Sequence, residues 1–316
     1  MAEESRLERY KRLAEQRMSL PTGFLDDLPP LSQDTLWRGL TRRGEIRILV
    51  ARTTNSAAEA ARRLESSADV ARMLGEWATA TLLVRSTLNP DERLQVLLNH
   101  QGPVGQVVVD AWENGGVRCF VQRPQEETAY FGFLIGDGTL QVSRNNAARG
   151  KAYRSTVELK GEGTEAFMMH YLLESEQILS LLKVEATVED GVLRSAVGYL
   201  VQLLPEGSRE DLQRLLVNLD ALPPLSAGMT EDDPDGRAWA DRLLAGFPWD
   251  QCAREPVAFQ CRCSEDRILA MIGALPRADI ESLATGDEPL EMTCDYCRER
   301  YNLHPSRLQV LLEPPS

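Results

Sequence analysis

Phe259-Gln260-Cys261-Arg262-Cys263-Ser264 is followed, well further along the chain, by Cys294-Asp295-Tyr296-Cys297. Two close cysteine pairs can place four thiolates around one tetrahedral ion, and thiolate sulfur suits Zn²⁺. Cys261, Cys263, Cys294 and Cys297 are therefore the candidate ligands of one zinc ion. The stretch between the pairs, Asp266 to Leu283, reads as helical, with Ile268, Leu269, Ile272, Leu275 and Leu283 apolar. A helix there can bring the pairs together. The span 257–316 is short, and a module of that size needs a staple. Structural zinc binding contributes roughly 10–16 kcal/mol in small modules, so this segment is expected to fold only with its metal.

Three roles fit such a centre unequally. The first is a permanent structural staple. The second is a nucleic-acid module, which charge opposes: residues 257–316 hold six Arg and no Lys against ten Asp and Glu, and phosphate contacts need clustered positive charge. The third is a switch. Metal-bound thiolates are deprotonated, the form that oxidants attack. Neighbouring sulfurs can close to disulfides, and loss of the ligands removes the free energy that folds the segment. Spacing alone fits both the staple and the switch. A thiol oxidoreductase using Cys294 and Cys297 is disfavoured, because no βαβ setting surrounds them.

Upstream, residues 205–256 contain six of the chain's 17 Pro and the acidic run Glu231-Asp232-Asp233-Pro234-Asp235. Leu212, Leu215, Leu216 and Leu219 fall at helical spacing, as do Trp239, Leu243, Leu244 and Phe247. This reads as a helical linker too apolar to float free, so it must lie on something when folded.

The region 1–205 alternates between helical and strand patterns. Residues 1–55 read as partly helical and loose, with Leu7, Tyr10 and Leu13 in register before Pro21, Pro29 and Pro30 break it. Thr41–Val50 reads as a strand with Ile46, Ile48 and Val50 on one face. Thr53-Thr54-Asn55-Ser56 can cap an Ala-rich helix running towards Leu83. Strands follow around Leu94–Leu98, Gln106–Ala111 and Val117–Val121, with a hairpin signal at Asn114-Gly115-Gly116. A second hairpin is expected at Gly136-Asp137-Gly138, between Phe131–Ile135 and Thr139–Ser143, with Val157–Lys160 pairing alongside. Thr164 opens a helix expected to reach Leu182, and Val184–Val188 and Tyr199–Leu204 read as closing strands. The expected class is α+β: an N-terminal core of mainly antiparallel sheet with helices (1–205), a helical linker (206–256) and a small zinc-binding C-terminal domain (257–316).

The chain of 316 residues has 43% hydrophobic and 26% charged side chains, a globular composition. Its formal charge is −13, which favours solubility and denies a global nucleic-acid footprint. The start, Met-Ala-Glu-Glu-Ser-Arg, lacks the apolar stretch of a signal peptide, and no run approaches the ~18 apolar residues that span a bilayer. A cytoplasmic protein without nucleic-acid or membrane partners is expected. No P-loop and no nucleophile elbow is present, which argues against ATP hydrolysis and serine-type catalysis; the protein reads as a non-enzyme. Cys119 alternates with Val117 and Val121 and reads as a buried strand residue. Cys252 lies near enough in sequence to join thiol exchange. His304 is not needed as a ligand beside four Cys. His100 reads as a turn residue and His170 as a helix residue, while Tyr296 and Tyr301 should pack around the metal knuckle.

An ordered set of short motifs resembles the redox-regulated 33-kDa heat-shock chaperone family of bacteria. They are Arg43-Gly44-Glu45, Ser86-Thr87-Leu88, Gln101-Gly102-Pro103-Val104-Gly105, Ser175-Glu176-Gln177-Ile178, Gly198 to Pro205, and the two cysteine motifs. The resemblance spans residues 40–310. Two departures stand out: Asn99-His100-Gln101 replaces a Gly-rich turn, and Arg298 follows the last Cys where Gly is common. The resemblance implies a folded, inactive monomer holding one Zn²⁺ when reduced. It implies that oxidation closes Cys261–Cys263 and Cys294–Cys297, releases zinc and unfolds the C-terminal domain and linker. The active form, often a homodimer, would hold unfolding client proteins without ATP. Leu212, Leu215, Leu216, Leu219, Trp239, Leu243 and Phe247 are the candidate client-binding residues. The competing expectation is a non-switching interaction protein with a purely structural zinc module.

Overall fold

The computed structural model describes residues 34–128, 134–146, 152–225, 229, 233, 235–285 and 288–312. The expected N-terminal helix around Leu7–Leu13 lies outside them, as does most of the Glu231–Asp235 run. The chain divides into two compact units at Phe259/Gln260.

The first unit opens with the antiparallel pair β1 (Thr35–Thr41) and β2 (Ile46–Arg52), joined by a turn in which Gly44 has φ 81°. One strand was expected over Thr41–Val50; the turn divides the region, and β1 lies in a stretch read as loose. Ile46, Ile48 and Val50 share one face of β2, Leu49 and Ala51 share the other, and all are buried. Next come α1 (Thr54–Leu64) and α2 (Ala68–Arg85). The single helix expected here is two, because Glu65 turns left-handed at φ 52° and Ser67 starts a new helix, its Oγ accepting from Val70 N–H. The Thr53 side chain does not cap α1. The Asp34 carboxylate does so instead, accepting from Asn55 N–H at 3.0 Å, Ser56 N–H at 2.6 Å and the Ser56 hydroxyl at 2.7 Å.

Then β3 (Glu92–His100), β4 (Val107–Ala111) and β5 (Gly116–Val121) form an antiparallel meander with the expected Asn114–Gly116 turn. β6 (Gly138–Asn146) pairs with β3, and β7 (Ala152–Glu158) with β6. Of the strand expected at Phe131–Ile135, the first three residues lie outside the described set, and Leu134 and Ile135 are in bends. Helix α3 (Gly163–Glu176) stops well short of Leu182. Gln177 adopts φ 54° and Ile178 N–H bonds back to Leu172 C=O, closing the helix. Ile178 and Leu179 lie past its end, and Leu182 belongs to β8 (Ser180–Glu189), which pairs with β9 (Val192–Leu203). The linker region supplies α4 (Arg209–Asp220) and α5 (Arg237–Leu243), as expected. It then supplies β10 (Trp249–Pro256), and β11 (Ala258–Phe259) follows at once; neither strand was expected.

Two sheets result, with strand orders β10-β1-β2-β9-β8 and β11-β5-β4-β3-β6-β7. Every pairing is antiparallel except β11 with β5. The α+β class with mainly antiparallel sheet therefore holds. Helix α2 contributes Met73, Leu74 and Trp77 to one core shared with the inner faces of both sheets, which include Leu49, Leu200, Val109 and Cys119. The outer face of the first sheet carries Trp37, Ile48, Val50, Tyr199 and Val201. On it lie Leu215, Leu219, Trp239, Leu243 and Phe247 from the linker region. Tyr199 packs on Trp239 with centroids 4.5 Å apart, and Trp37 stacks on Trp249 at 5.5 Å. Gly39 makes room for that stack: a Cβ there would lie 2.8 Å from the Trp249 ring. Leu212 is half-buried and Leu216 is exposed.

Glu76 on α2 accepts a hydrogen bond from the Thr164 hydroxyl at 3.1 Å. Burial pushes its carboxyl up to about 7, with Glu165 adding in the same direction and Thr164, Arg72 and Lys183 opposing. The folded state thus holds a proton that the unfolded chain releases near 4.5. Stability should fall as pH rises through that window, by at most about 3 kcal/mol. Glu76→Gln should flatten this dependence and stabilise the unit at pH 8. Urea titrations at pH 5.5 and 8, read by Trp fluorescence, test it, because all five Trp lie in the first unit. Parallel wild-type and variant shifts would refute it.

Candidate metal centre

The second unit contains α6 (Glu265–Ile272), α7 (Arg277–Ala284), the antiparallel hairpin β12 (Leu290–Thr293) and β13 (Arg300–Leu303), and α8 (Pro305–Gln309). Ser264 caps α6, its Oγ accepting from Arg267 N–H at 3.3 Å. One helix was expected over 266–283. Two form, because Gly273 ends the first and Pro276 begins the second. The buried apolar cluster is small: Ile268, Ile272, Ile280, Ala284, Leu303 and Leu308.

The hairpin tip holds the second cysteine pair. Arg298 N–H bonds to Cys294 C=O and Cys294 N–H to Glu299 C=O, each at 2.9 Å, so residues 294–298 form a tight knuckle. Arg298 closes it at φ 59°, in the left-handed region that favours glycine. The resemblance creates an expectation of glycine here, and arginine stands in its place. At the other pair, the Arg267 guanidinium donates to Arg262 C=O at 2.6 Å and holds the loop that carries Cys261 and Cys263.

All four sulfurs lie within 4.8 Å of one another. The Cys261–Cys294 and Cys263–Cys297 approaches are 3.7 and 3.3 Å. Sulfurs placed ~2.3 Å from a tetrahedral ion would stand about 3.8 Å apart, so the donor set fits one metal ion. Both of these approaches cross between the pairs. Cys297 is buried and the other three are half-buried. Crowding and burial oppose ionisation in the absence of a cation. The shared hydrogen bond with Cys261, and then burial, push the Cys294 thiol far above its ordinary value. Burial first, and then Cys263 and Cys261, push Cys297 up to about 11, against the opposing backbone contact of Glu299 and the Cys294 sulfur. A dication among the sulfurs reverses that balance and holds them as thiolates.

Sequence reasoning assigned Tyr301 only a packing role. Its hydroxyl donates to Cys263 Sγ at 3.0 Å, making it a direct partner of a candidate ligand; its position on the return strand of the hairpin was the available signal. Tyr296 is half-buried within the knuckle. His304 stands at the N-terminal end of α8 without a side-chain capping bond, and its Nδ1 lies 3.1 Å from Ser306 Oγ, apart from the sulfur cluster. His100 ends β3, its ring accepting from Gly102 N–H at 2.9 Å, and His170 lies on α3. Cys119 is buried in the core, where desolvation pushes its thiol up to about 12 and leaves it inert. Cys252 sits half-buried on β10, its thiol 3.6 Å from Asp250 C=O.

A sequence profile described as Hsp33 protein matches residues 34–304. The chain belongs to the Hsp33 family. A "33 kDa chaperonin" of Geobacter sp. (strain M21) is 30% identical over 283 residues, covering 85% of this chain and 93% of the relative. One from Syntrophotalea carbinolica is 31% identical over 288 residues, covering 89% and 99%. One from Thermus thermophilus is 31% identical over 294 residues, covering 87% and 85%. The crystal structure of the 33 kDa chaperonin of Thermotoga maritima superposes with a TM-score of 0.77 at 22% identity, covering 89% of this chain and 98% of that one. That likeness supports the Hsp33 fold. Among the described residues no helix is long and apolar enough to cross a membrane.

Arg298→Gly should relieve the left-handed strain at the knuckle and stabilise the metal-loaded second unit by about 1 kcal/mol. Metal retention against a chromophoric chelator checks this; the variant should need several-fold more chelator to lose half its metal. Unchanged or weaker retention would show that the backbone at Arg298 is not strained.

Proposed function

We propose that this protein is a redox-regulated, ATP-independent holdase. The observation that carries the reading is the cover on the first sheet. Leu215, Trp239, Leu243 and Phe247 are buried against Trp37, Tyr199 and their neighbours. The segment that supplies this cover runs directly into Cys261. Cover and candidate switch are thus adjacent in one stretch of chain. Functionally the chain divides into the core (1–205), the linker (206–256) and the switch (257–316).

Cys261, Cys263, Cys294 and Cys297 would hold one Zn²⁺ in the reduced protein. The ion supplies the positive charge that lets four thiolates sit together and ties two loops into a fold that six buried apolar residues support weakly. Two molecules of a peroxide each take two electrons from a pair of thiolates. Two S–S bonds form, Cys261–Cys263 and Cys294–Cys297, and with four protons the peroxide oxygens leave as four waters. The oxidised sulfurs carry no negative charge and cannot retain a dication. The switch segment then loses its main source of folding energy, and the linker loses its anchor. Leu212, Leu215, Leu216, Leu219, Trp239, Leu243 and Phe247, together with the bared sheet face, form apolar surface for unfolded client chains. The charge of −13 helps such complexes stay dissolved. The resemblance extends to a cytoplasmic setting and to an oxidised form that can pair as a homodimer. No catalytic step, nucleic acid or membrane is assigned to it.

The test measures zinc content and suppression of client aggregation on one sample, before and after peroxide at mild heat. The reduced form should hold one zinc per chain and suppress poorly; oxidation should release the zinc and switch suppression on. Retained zinc, or release without suppression, would make the cluster a structural staple. Gly39→Val drives side-chain atoms into the Trp249 ring. It should lower the temperature at which the oxidised protein activates by several degrees, with the zinc content of the reduced form unchanged. An unaltered threshold would show that the cover does not control activation.

A further inference from the structure

β10 and β11 are consecutive parts of one extended run, Trp249–Phe259, that borders both sheets. β10 is the terminal strand of the first sheet, paired with β1 from Thr35↔Pro256 to Thr41↔Trp249. β11 is the terminal strand of the second, paired with β5 at Ala258↔Gly116 and Phe259↔Val117. Backbone bonding continues through the junction: Val257 N–H donates to Asp34 C=O at 2.9 Å and Ala258 N–H to Gly115 C=O at 3.2 Å. Gly115 sits at that crossing, where a Cβ would lie 2.0 Å from the Pro256 carbonyl oxygen. The junction therefore admits a chain packed backbone against backbone.

The side chains of β10 make surface contacts, and its backbone pairs along its whole length. None of its residues is buried, and the sequence Trp-Asp-Gln-Cys-Ala-Arg-Glu-Pro is mostly polar. Anchors exist at Trp249, which stacks on Trp37 and donates to Asp241 at 3.0 Å, and at Arg42–Asp250 (3.1 Å), Arg237–Gln251 (2.6 Å), Arg38–Glu255 (2.8 Å) and Arg254–Asp235 (2.9 Å). Beside these contacts, main-chain pairing with β1 runs the length of the strand, and that part any unfolded polypeptide can supply. Removal of residues 249–259 would leave β1 and β5 as open edges, the strand arrangement that templates pairing with another chain.

We propose that these two edges form a second client surface, separate from the apolar face, which takes an extended segment of unfolded chain as a replacement strand. It would accept about eleven residues, spanning roughly 36 Å at ~3.3 Å per residue. The proposal rests on the holdase reading for the event that lifts the linker. It adds a mode of recognition that is tolerant of sequence and demands free backbone N–H groups.

The test uses the oxidised full-length protein and a fluorescein-labelled peptide of residues 249–259 carrying C252S. Limited proteolysis of the same sample verifies that the linker has been released. The peptide should bind the oxidised form and not the reduced one, and a reduced, alkylated, permanently unfolded protein should displace it. A scrambled peptide should bind within a few-fold. N-methylation of alternate residues on the edge facing β1 should weaken binding at least tenfold, whereas methylation of the other set should be tolerated. Equal binding by both methylated peptides, or no binding to a protein with a released linker, overturns the proposal while leaving aggregation suppression as a separate readout. A released linker without any aggregation suppression refutes the holdase reading instead, and anisotropy still reports whether the edges bind.

Discussion

β2, the central strand of the first sheet, is buried on both faces. Ile46, Ile48 and Val50 point one way and Leu49 and Ala51 the other, and both sets are buried. Helix α2 covers the inner side as part of the main core. Among the described residues, the layer over the outer side comes from the linker region. A sheet apolar on both faces is normal when helices cover both. Here one cover is the segment leading to the cysteine cluster. Large apolar side chains such as Trp239 and Leu243 each gain about 1.5–3 kcal/mol from burial, so the cover is held firmly yet by few groups.

The second unit faces a complementary constraint. Its apolar cluster is six residues drawn from short helices and a hairpin, too little for independent stability at this length. A metal ion shared by the four sulfurs would add the missing cohesion; without one, crowding and burial push the Cys294 and Cys297 thiols above their ordinary values. Tyr301 and Arg267 show that the loops are built around those sulfurs, one donating to Cys263 and the other fixing the Arg262 carbonyl. On the proposed reading, a unit held by metal-bound thiolates would lose that cohesion to oxidants.

The cysteine cluster was legible in the sequence because its information is local: residue type and spacing imply the donor set. The antiparallel core was legible where one face is polar, as in β3 with its alternating Leu94, Val96 and Leu98. Reading failed where two patterns overlap. Ile178, Leu179 and Leu182 continue the helical stripe of α3, yet left-handed Gln177 sends the chain into β8. Glu65, Ser66 and Ser67 divide a helix that composition alone leaves whole, and Pro276 does the same between the cysteine pairs. β10 was invisible for a different reason. A polar edge strand held by its backbone has no hydrophobic period, and its partner β1 lies near the opposite end of the chain. The helices α4 and α5 were readable from their leucines and tryptophan, but not the surface that receives them.

That long separation has a consequence for how each copy of the protein comes into being. Arg38 and Glu255 pair across 217 positions of chain. A ribosome delivers residues in order, at roughly 5–20 per second. β1, β2, β8 and β9 therefore emerge seconds before α5 and β10, which will lie over and beside them. Throughout that interval, among the described residues, the β1 edge lacks β10 and the outer face lacks Trp239, Leu243 and Phe247. The covered form is the last product of synthesis, and the bare sheet is a stage through which every new molecule passes.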